Sequence, residues 1–226
     1  MLEADELERA TPLRSTVPYP PEPWHLGGQL LISAFRVPVA DLPAGFLDAV
    51  PAAHRPVIIG GRLPVLAAFA HYRPGGVLVY EELLVDFPVS ARGAPRFTIP
   101  RIWVTSEASL HGGRELWGIP KEPADIERDG TRTSAAIGGR EIALLDAHVG
   151  RRLWPGTPGI PLATAQRLDG RTFVARNTVF AAVRALGATW RFTHDGPLGF
   201  LDDRKPVLSV ALDDAAIVFG RNVERS

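Results

Sequence analysis

Beyond residue 23 the chain reads as short runs of β-forming residues, several of them alternating apolar and polar positions, the period of a strand with one face on a core. Residues 29–37 (QLLISAFRV) form an apolar run, and 65–72 (VLAAFAHY) and 76–89 (GVLVYEELLVDFPV) flank the turn RPGG, a hairpin signal. Strands are also predicted over 96–105, 140–149, 172–183, 188–195 and 205–220. Gly-Gly-Arg at 60–62, 112–114 and 138–140 reads each time as a tight turn. Helical signals are few. One short helix is expected in 39–50, with Asp41 as its cap and Pro43 early, and a helical turn at Ser106 with Glu107 near its start. The stretch 164–173 (TAQRLDGRTF) is too short for a helix. The pattern predicts a β-dominated α+β fold with few short helices, closed or sandwiched so that strand edges are protected. Residues 1–23, rich in proline towards their end, are expected to form an extended N-terminal leader anchored by Trp24, and 24–226 a single domain.

Composition narrows the function more by exclusion than by suggestion. A chain of 226 residues can bury roughly 70% of its unfolded surface and needs no staples. Its 25 basic and 25 acidic residues balance and are interspersed, so no footprint for nucleic acid or an anionic membrane is expected. The absence of cysteine rules out disulfides, thiolate metal sites and thiol nucleophiles. Six scattered histidines form no H-E-x-x-H or related cluster, so no metal site is expected. There is no G-x-S-x-G elbow, P-loop or G-x-G-x-x-G, and no cofactor is expected. The acidic, polar start lacks the pattern of a signal peptide, and no apolar run reaches membrane-span length, which points to a cytoplasmic protein.

What remains is a lysine and some carboxylates. Lysine occurs only at Lys121 and Lys205, the other 23 basic residues being arginine. Lys121 follows Leu116, Trp117, Gly118, Ile119 and Pro120 in GRELWGIPKEPADI (113–126), a segment expected to pack on a core. A free lysine titrates near ~10.4, so about one in 2,500 is the nucleophilic amine at neutral pH, and activating it takes roughly 4–5 kcal/mol. Burial among apolar side chains can supply that much. The structural alternative is an ordinary lysine at a strand end with its stem on Trp117. In VLVYEELLV a strand would place Tyr80 and Glu82 on one face and Glu81 on the other. An inward glutamate is either paired with an arginine or part of a site. Arg36, just after LLISAF, would either clamp a substrate carboxylate or neutralise such a glutamate.

GGRELWGIPK (112–121), preceded by YEELLV (80–85), resembles acetoacetate decarboxylase and its superfamily. The resemblance implies a β-rich, cone-like antiparallel barrel, assembled as a homo-oligomer and acting on a small keto acid. It implies Lys121 as the Schiff-base lysine, carried by the motif residues Arg114, Glu115, Gly118 and Pro120, with Glu82 as the active-site glutamate. Arg36 matches the family's N-terminal arginine on looser grounds. Tyr80 and Trp117 are then candidate substrate-binding residues. The family's decarboxylase has a second lysine after the nucleophile where this chain has Glu122. An anion there would favour the ammonium form, unless alternation on a strand turns residues 121 and 122 to opposite faces. Superfamily members without the second lysine include aldolase-dehydratases acting on pyruvate-type substrates. Three functions follow in order: decarboxylation, aldol condensation with dehydration, and a non-catalytic small-molecule binding barrel.

Overall fold

The computed structural model describes residues 17–91 and 94–226. Its strands are β1 (Trp24–Pro38), β2 (Arg55–Pro56), β3 (Arg62–Tyr72), β4 (Tyr80–Ala91) and β5 (Ala94–Val104), then β6 (Lys121–Pro123), β7 (Asp125–Asp129) and β8 (Arg132–Ile137). They are followed by β9 (Arg140–Arg152), β10 (Gly159–Leu168), β11 (Arg171–Phe192) and β12 (Leu208–Arg225). A single α-helix, α1 (Glu107–Trp117), joins β5 to β6 among the described residues.

All twelve strands belong to one sheet, in the order β10-β5-β4-β3-β1-β12-β11-β9-β8-β7, with β2 on β4 and β6 on β5. Strand β10 pairs a second time, antiparallel to β11 from Gly159↔Phe180 to Leu168↔Arg171, so the path from β10 through β5 and β1 returns to β10. The parallel pairings are β5 with β6 and a single pair between β10 and β5, Thr164↔Phe97.

The central strands are apolar on both faces. From β4, Leu83, Val85, Phe87 and Val89 enter one core with Phe35, Trp103 and Phe192. The alternate positions of β4 face a second cluster built around Trp24, Ile102, Trp117 and Ile217. Burial on two sides explains why these strands read as near-continuous apolar runs.

Helix α1 is longer than the single turn expected at Ser106. The Ser106 hydroxyl accepts from the Ser109 backbone N–H at 3.2 Å, capping the helix, and Glu107 lies in the first turn. Gly118, at φ 63°, ends it by returning its N–H to the Arg114 carbonyl at 3.0 Å. Gly112 and Gly113 therefore sit inside a helix, which corrects the tight turn expected there. The other two Gly-Gly pairs, at 60–61 and 138–139, do turn the chain with positive φ.

No α-helix forms in 39–50. A 3-10 turn over Val39–Asp41 ends at Leu42, which is extended (φ −71°, ψ 140°) as a residue before proline prefers to be. Asp41 is the last residue of that turn and accepts from Arg204 at 2.6 Å instead of capping a helix. The two runs expected at 172–183 and 188–195 are one strand, β11. Strands β7, β8 and β10 were not predicted, and residues 164–173 form a hairpin turning at Asp169 and Gly170, both with positive φ. Residues 1–16 of the expected leader lie outside the described residues.

Candidate active site

The short strand β6 carries Lys121 opposite Ile102 of β5, and its alternation decides what faces inward. Lys121 is only 3% exposed. Glu122 points to the other face, where it accepts from Trp103 Nε1 at 3.1 Å. The carboxylate that follows the lysine is thus not part of its surroundings.

Helix α1 and β6 are laced together at the turn between them. Ile119 N–H donates to the Gly113 carbonyl at 3.1 Å, and Arg114 Nε donates to the Lys121 carbonyl at 2.7 Å. Glu115 accepts from Tyr19 at 2.6 Å, tying the helix to the segment before β1. The lysine stem then passes over Gly113, where a Cβ would lie 2.6 Å from Lys121 Cδ and 2.7 Å from Cε. At Gly112 a Cβ would lie 2.5 Å from the Trp24 ring. Each glycine of the pair is a space that a particular side chain fills. The αL turn at Gly118 likewise leaves no room for a Cβ, which would meet the Phe173 ring at 2.3 Å.

Three acceptors surround the Lys121 amine. Nζ donates to Glu82 Oε2 at 2.8 Å, to Ser109 Oγ at 2.8 Å and, at 3.4 Å, to the Tyr80 hydroxyl. Glu82 is itself buried and accepts from Tyr72 at 3.3 Å and Tyr80 at 3.2 Å. Burial, followed by the Glu82 charge, raises both tyrosine pKa values well above the ordinary value, so both hydroxyls are held as donors. Tyr80 and Glu82 share this face while Glu81 pairs with His71 on the other, as alternation along β4 requires.

The group lies in the wall of a cavity of about 330 Å3 lined mainly by apolar side chains, among them Leu26, Ile32, Leu66, Ile99, Leu162 and Ile217. Trp117 also lines it, with its Nε1 donating to Glu22 at 3.1 Å. Lys121 is the one basic side chain among the described lining residues, and the carboxyl groups are those of Glu82 and Asp86. Arg36 is exposed near the end of β1 and does not line the cavity, so Glu82 is paired with a lysine and not with that arginine.

Three of these residues were not anticipated. Ser109 is fully buried one helical turn from the cap, and Tyr72 stands directly across from Tyr80 in the β3–β4 register. Asp86 follows Tyr80, Glu82 and Leu84 at the same period, a signal the alternation already carried. Its Oδ1 has no hydrogen-bond partner among the described residues, and burial alone pushes its carboxyl up to about 8. No group of three or more His, Cys, Asp or Glu among the described residues is placed to hold a metal ion. No helix among them is long and apolar enough to cross a membrane.

The fold is of the acetoacetate decarboxylase kind. The family model described as acetoacetate decarboxylase (ADC) matches residues 59–158, the stretch carrying both Glu82 and Lys121. The structure is similar to acetoacetate decarboxylase from Legionella pneumophila subsp. pneumophila str. Philadelphia 1, at 17% identity and a TM-score of 0.69 over 97% of this chain and 93% of that one. It is similar too to the enduracididine biosynthesis enzyme MppR in complex with pyruvate (17%, 0.63, over 95% and 94%). A third likeness is to an acetoacetate decarboxylase-like enzyme from Sphingomonas wittichii RW1 (15%, 0.59, over 90% and 92%). At such identities these likenesses speak for the fold alone. A comparison with curated protein sequences finds no match. The fold is acetoacetate decarboxylase-like, as expected from the resemblance of the lysine motif.

Proposed function

We propose that the protein is a Schiff-base-forming lyase that decarboxylates a small keto acid through an imine at Lys121. The observation that carries this reading is a lysine amine 3% exposed at the wall of an apolar cavity, hydrogen-bonded to a buried carboxylate. Glu82 takes a proton from Nζ, and the free amine adds to the substrate carbonyl with loss of water to give the protonated imine. The bond to the carboxylate carbon then breaks, its electron pair moves into the imine as an enamine, and CO2 leaves. A proton returns to the enamine carbon, with Tyr80 and Glu82 as the adjacent proton carriers, and water hydrolyses the imine to release the ketone and Lys121. No arginine lines the cavity among the described residues, so the substrate carboxylate meets mainly apolar walls. Such surroundings favour a step that disperses its charge.

The second reading, aldol condensation followed by dehydration, uses the same imine, with Glu82 moving protons at the enamine carbon. Its support is the fold shared with MppR, one structure of which holds a condensation product of pyruvate and imidazole 4-carboxaldehyde. A cone-like closed barrel agrees with the second pairing of β10. A homo-oligomer and a cytoplasmic location belong to the same reading.

The test is to incubate the protein separately with acetoacetate, pyruvate and a longer straight-chain 3-oxo acid, add borohydride, and map the mass increase by peptide. A reduced adduct on the Lys121 peptide, absent in Lys121→Arg, is expected from a 3-oxo acid, with CO2 release. Trapping by pyruvate alone would move the assignment to the aldol reading. Modification only at Lys205 or the N-terminal amine, or none at all, would overturn the imine and leave the non-catalytic binding barrel.

A further inference from the structure

Asp86 lies four residues beyond Glu82 on β4, on the same face and lining the same cavity. At about 3.3 Å per residue the two carboxyls are about 13 Å apart along the strand. Between them the wall is Leu84, with Leu66, Ile99 and Ile102 nearby. The cavity, at about 330 Å3, falls within the roughly 300–1,000 Å3 of pockets that enclose drug-sized ligands. A four-carbon acid joined to Lys121 would leave the Asp86 end unoccupied.

We propose that Asp86 is a second recognition point, a carboxylic acid that donates one hydrogen bond to a neutral oxygen on the far part of an elongated, otherwise apolar substrate. This rests on the reading of Lys121 as the place where the keto acid end is bound.

Position and environment carry the proposal. An aspartate on an apolar face with an unpartnered, sealed Oδ1 does nothing for packing that leucine or valine would not do better. Thr98 and Gln166, the buried polar neighbours on β5 and β10, are occupied: Thr98 Oγ1 donates to the Ala165 carbonyl at 2.8 Å, and Gln166 bridges the Ile99 N–H and carbonyl. Asn177, also on the lining, accepts from Gly220 N–H at 2.8 Å. With its carboxyl pushed up to about 8 by burial, Asp86 is protonated at neutral pH and offers one O–H. One donor matches one ether, hydroxyl or carbonyl oxygen. An ammonium would bring three donors to a wall that supplies few acceptors.

Calorimetric titration of the intact protein with three methyl ketones tests this: a plain straight chain, the same chain with a far-end hydroxyl, and the same chain with a far-end amine. The hydroxylated ketone is expected to bind roughly tenfold more tightly than the plain one, the value of one hydrogen bond made away from water. Asp86→Leu should abolish that preference while binding the plain chain at least as well, and Asp86→Asn, which keeps a neutral donor, should retain it. Equal binding of plain and hydroxylated chains by the wild type, a preference that survives Asp86→Leu, or a preference for the amine would each overturn the proposal. All three probes carry the same ketone end, so any imine formed at Lys121 contributes alike to each, and a missing borohydride adduct there would sink the imine and leave this preference measurable.

Discussion

Gly113→Ala isolates the space that holds the lysine. Alanine is the better helix former by about 0.8–1 kcal/mol, so on propensity alone the variant should gain stability. Its Cβ, however, would stand 2.6 Å from Lys121 Cδ and 2.7 Å from Cε, where ordinary carbon contacts begin at about 3.5 Å. The stem must therefore move by about 1 Å. Nζ is pinned at 2.8 Å to both Glu82 and Ser109, and a shift of that size takes either bond beyond hydrogen-bonding range. Misplacement by about 1 Å costs on the order of 100-fold in rate, or about 2.7 kcal/mol of barrier. Overpacking costs about 1–3 kcal/mol of stability, partly offset by the helix propensity, so a net loss of about 0–2 kcal/mol is expected. Two assays separate the effects: the rate of borohydride-trapped adduct formation at Lys121, and urea unfolding. Gly112→Ala, whose Cβ meets the Trp24 ring, should lose stability more than trapping rate. A folded Gly113→Ala that traps a keto acid at the wild-type rate would refute the argument that this glycine positions the lysine.

Two further outcomes concern stability. The unfolded chain releases the Asp86 proton near 3.8 and the folded protein only near 8, so between those values the folded state holds the extra proton and stability falls as pH rises. The slope is about 1.36 kcal/mol per pH unit, at most about 5–6 kcal/mol across the window, and it flattens above pH 8. Asp86→Asn should therefore match the wild type in slope near pH 3 and gain on it steadily towards pH 8 in denaturant melts; parallel curves would show that Asp86 is ionised in the folded state. Gly118→Ala must hold a Cβ at φ 63° and 2.3 Å from the Phe173 ring, which adds about 1–2 kcal/mol of backbone strain to about 1–3 kcal/mol of overpacking. A loss of less than about 1 kcal/mol in urea unfolding would contradict this.

The strands that alternate or run apolar were legible because burial on defined faces is written into them, and Tyr80, Glu81 and Glu82 sorted to their faces by the same rule. Strands β7 and β8 were not, since DIERD and RTSAAI are short and largely polar. Strand β10 hid behind Pro161, although Asp169-Gly170 is a hairpin signal in a stretch weighed only as a helix. Helix α1 was foreshortened because Gly112 and Gly113 lower helix propensity by about 1 kcal/mol each, and they are there to admit Trp24 and Lys121. Local rules failed where tertiary contact with the site overrode them. Arg36 was misplaced for the opposite reason: a run such as LLISAF does not say on which face the next charge emerges.

The same geometry explains why this position holds a lysine in a chain whose other basic residues, Lys205 apart, are all arginine. An ammonium has three donors in a tetrahedral array, and Glu82, Ser109 and Tyr80 supply three acceptors around one atom. A guanidinium presents five donors in a rigid plane, too wide for a stem that must pass over Gly113 and too rich in donors for these partners. It also keeps its proton at any physiological pH, so it could never offer a lone pair to a carbonyl. Composition bias towards arginine stops where both the shape of the site and its proposed chemistry require an amine.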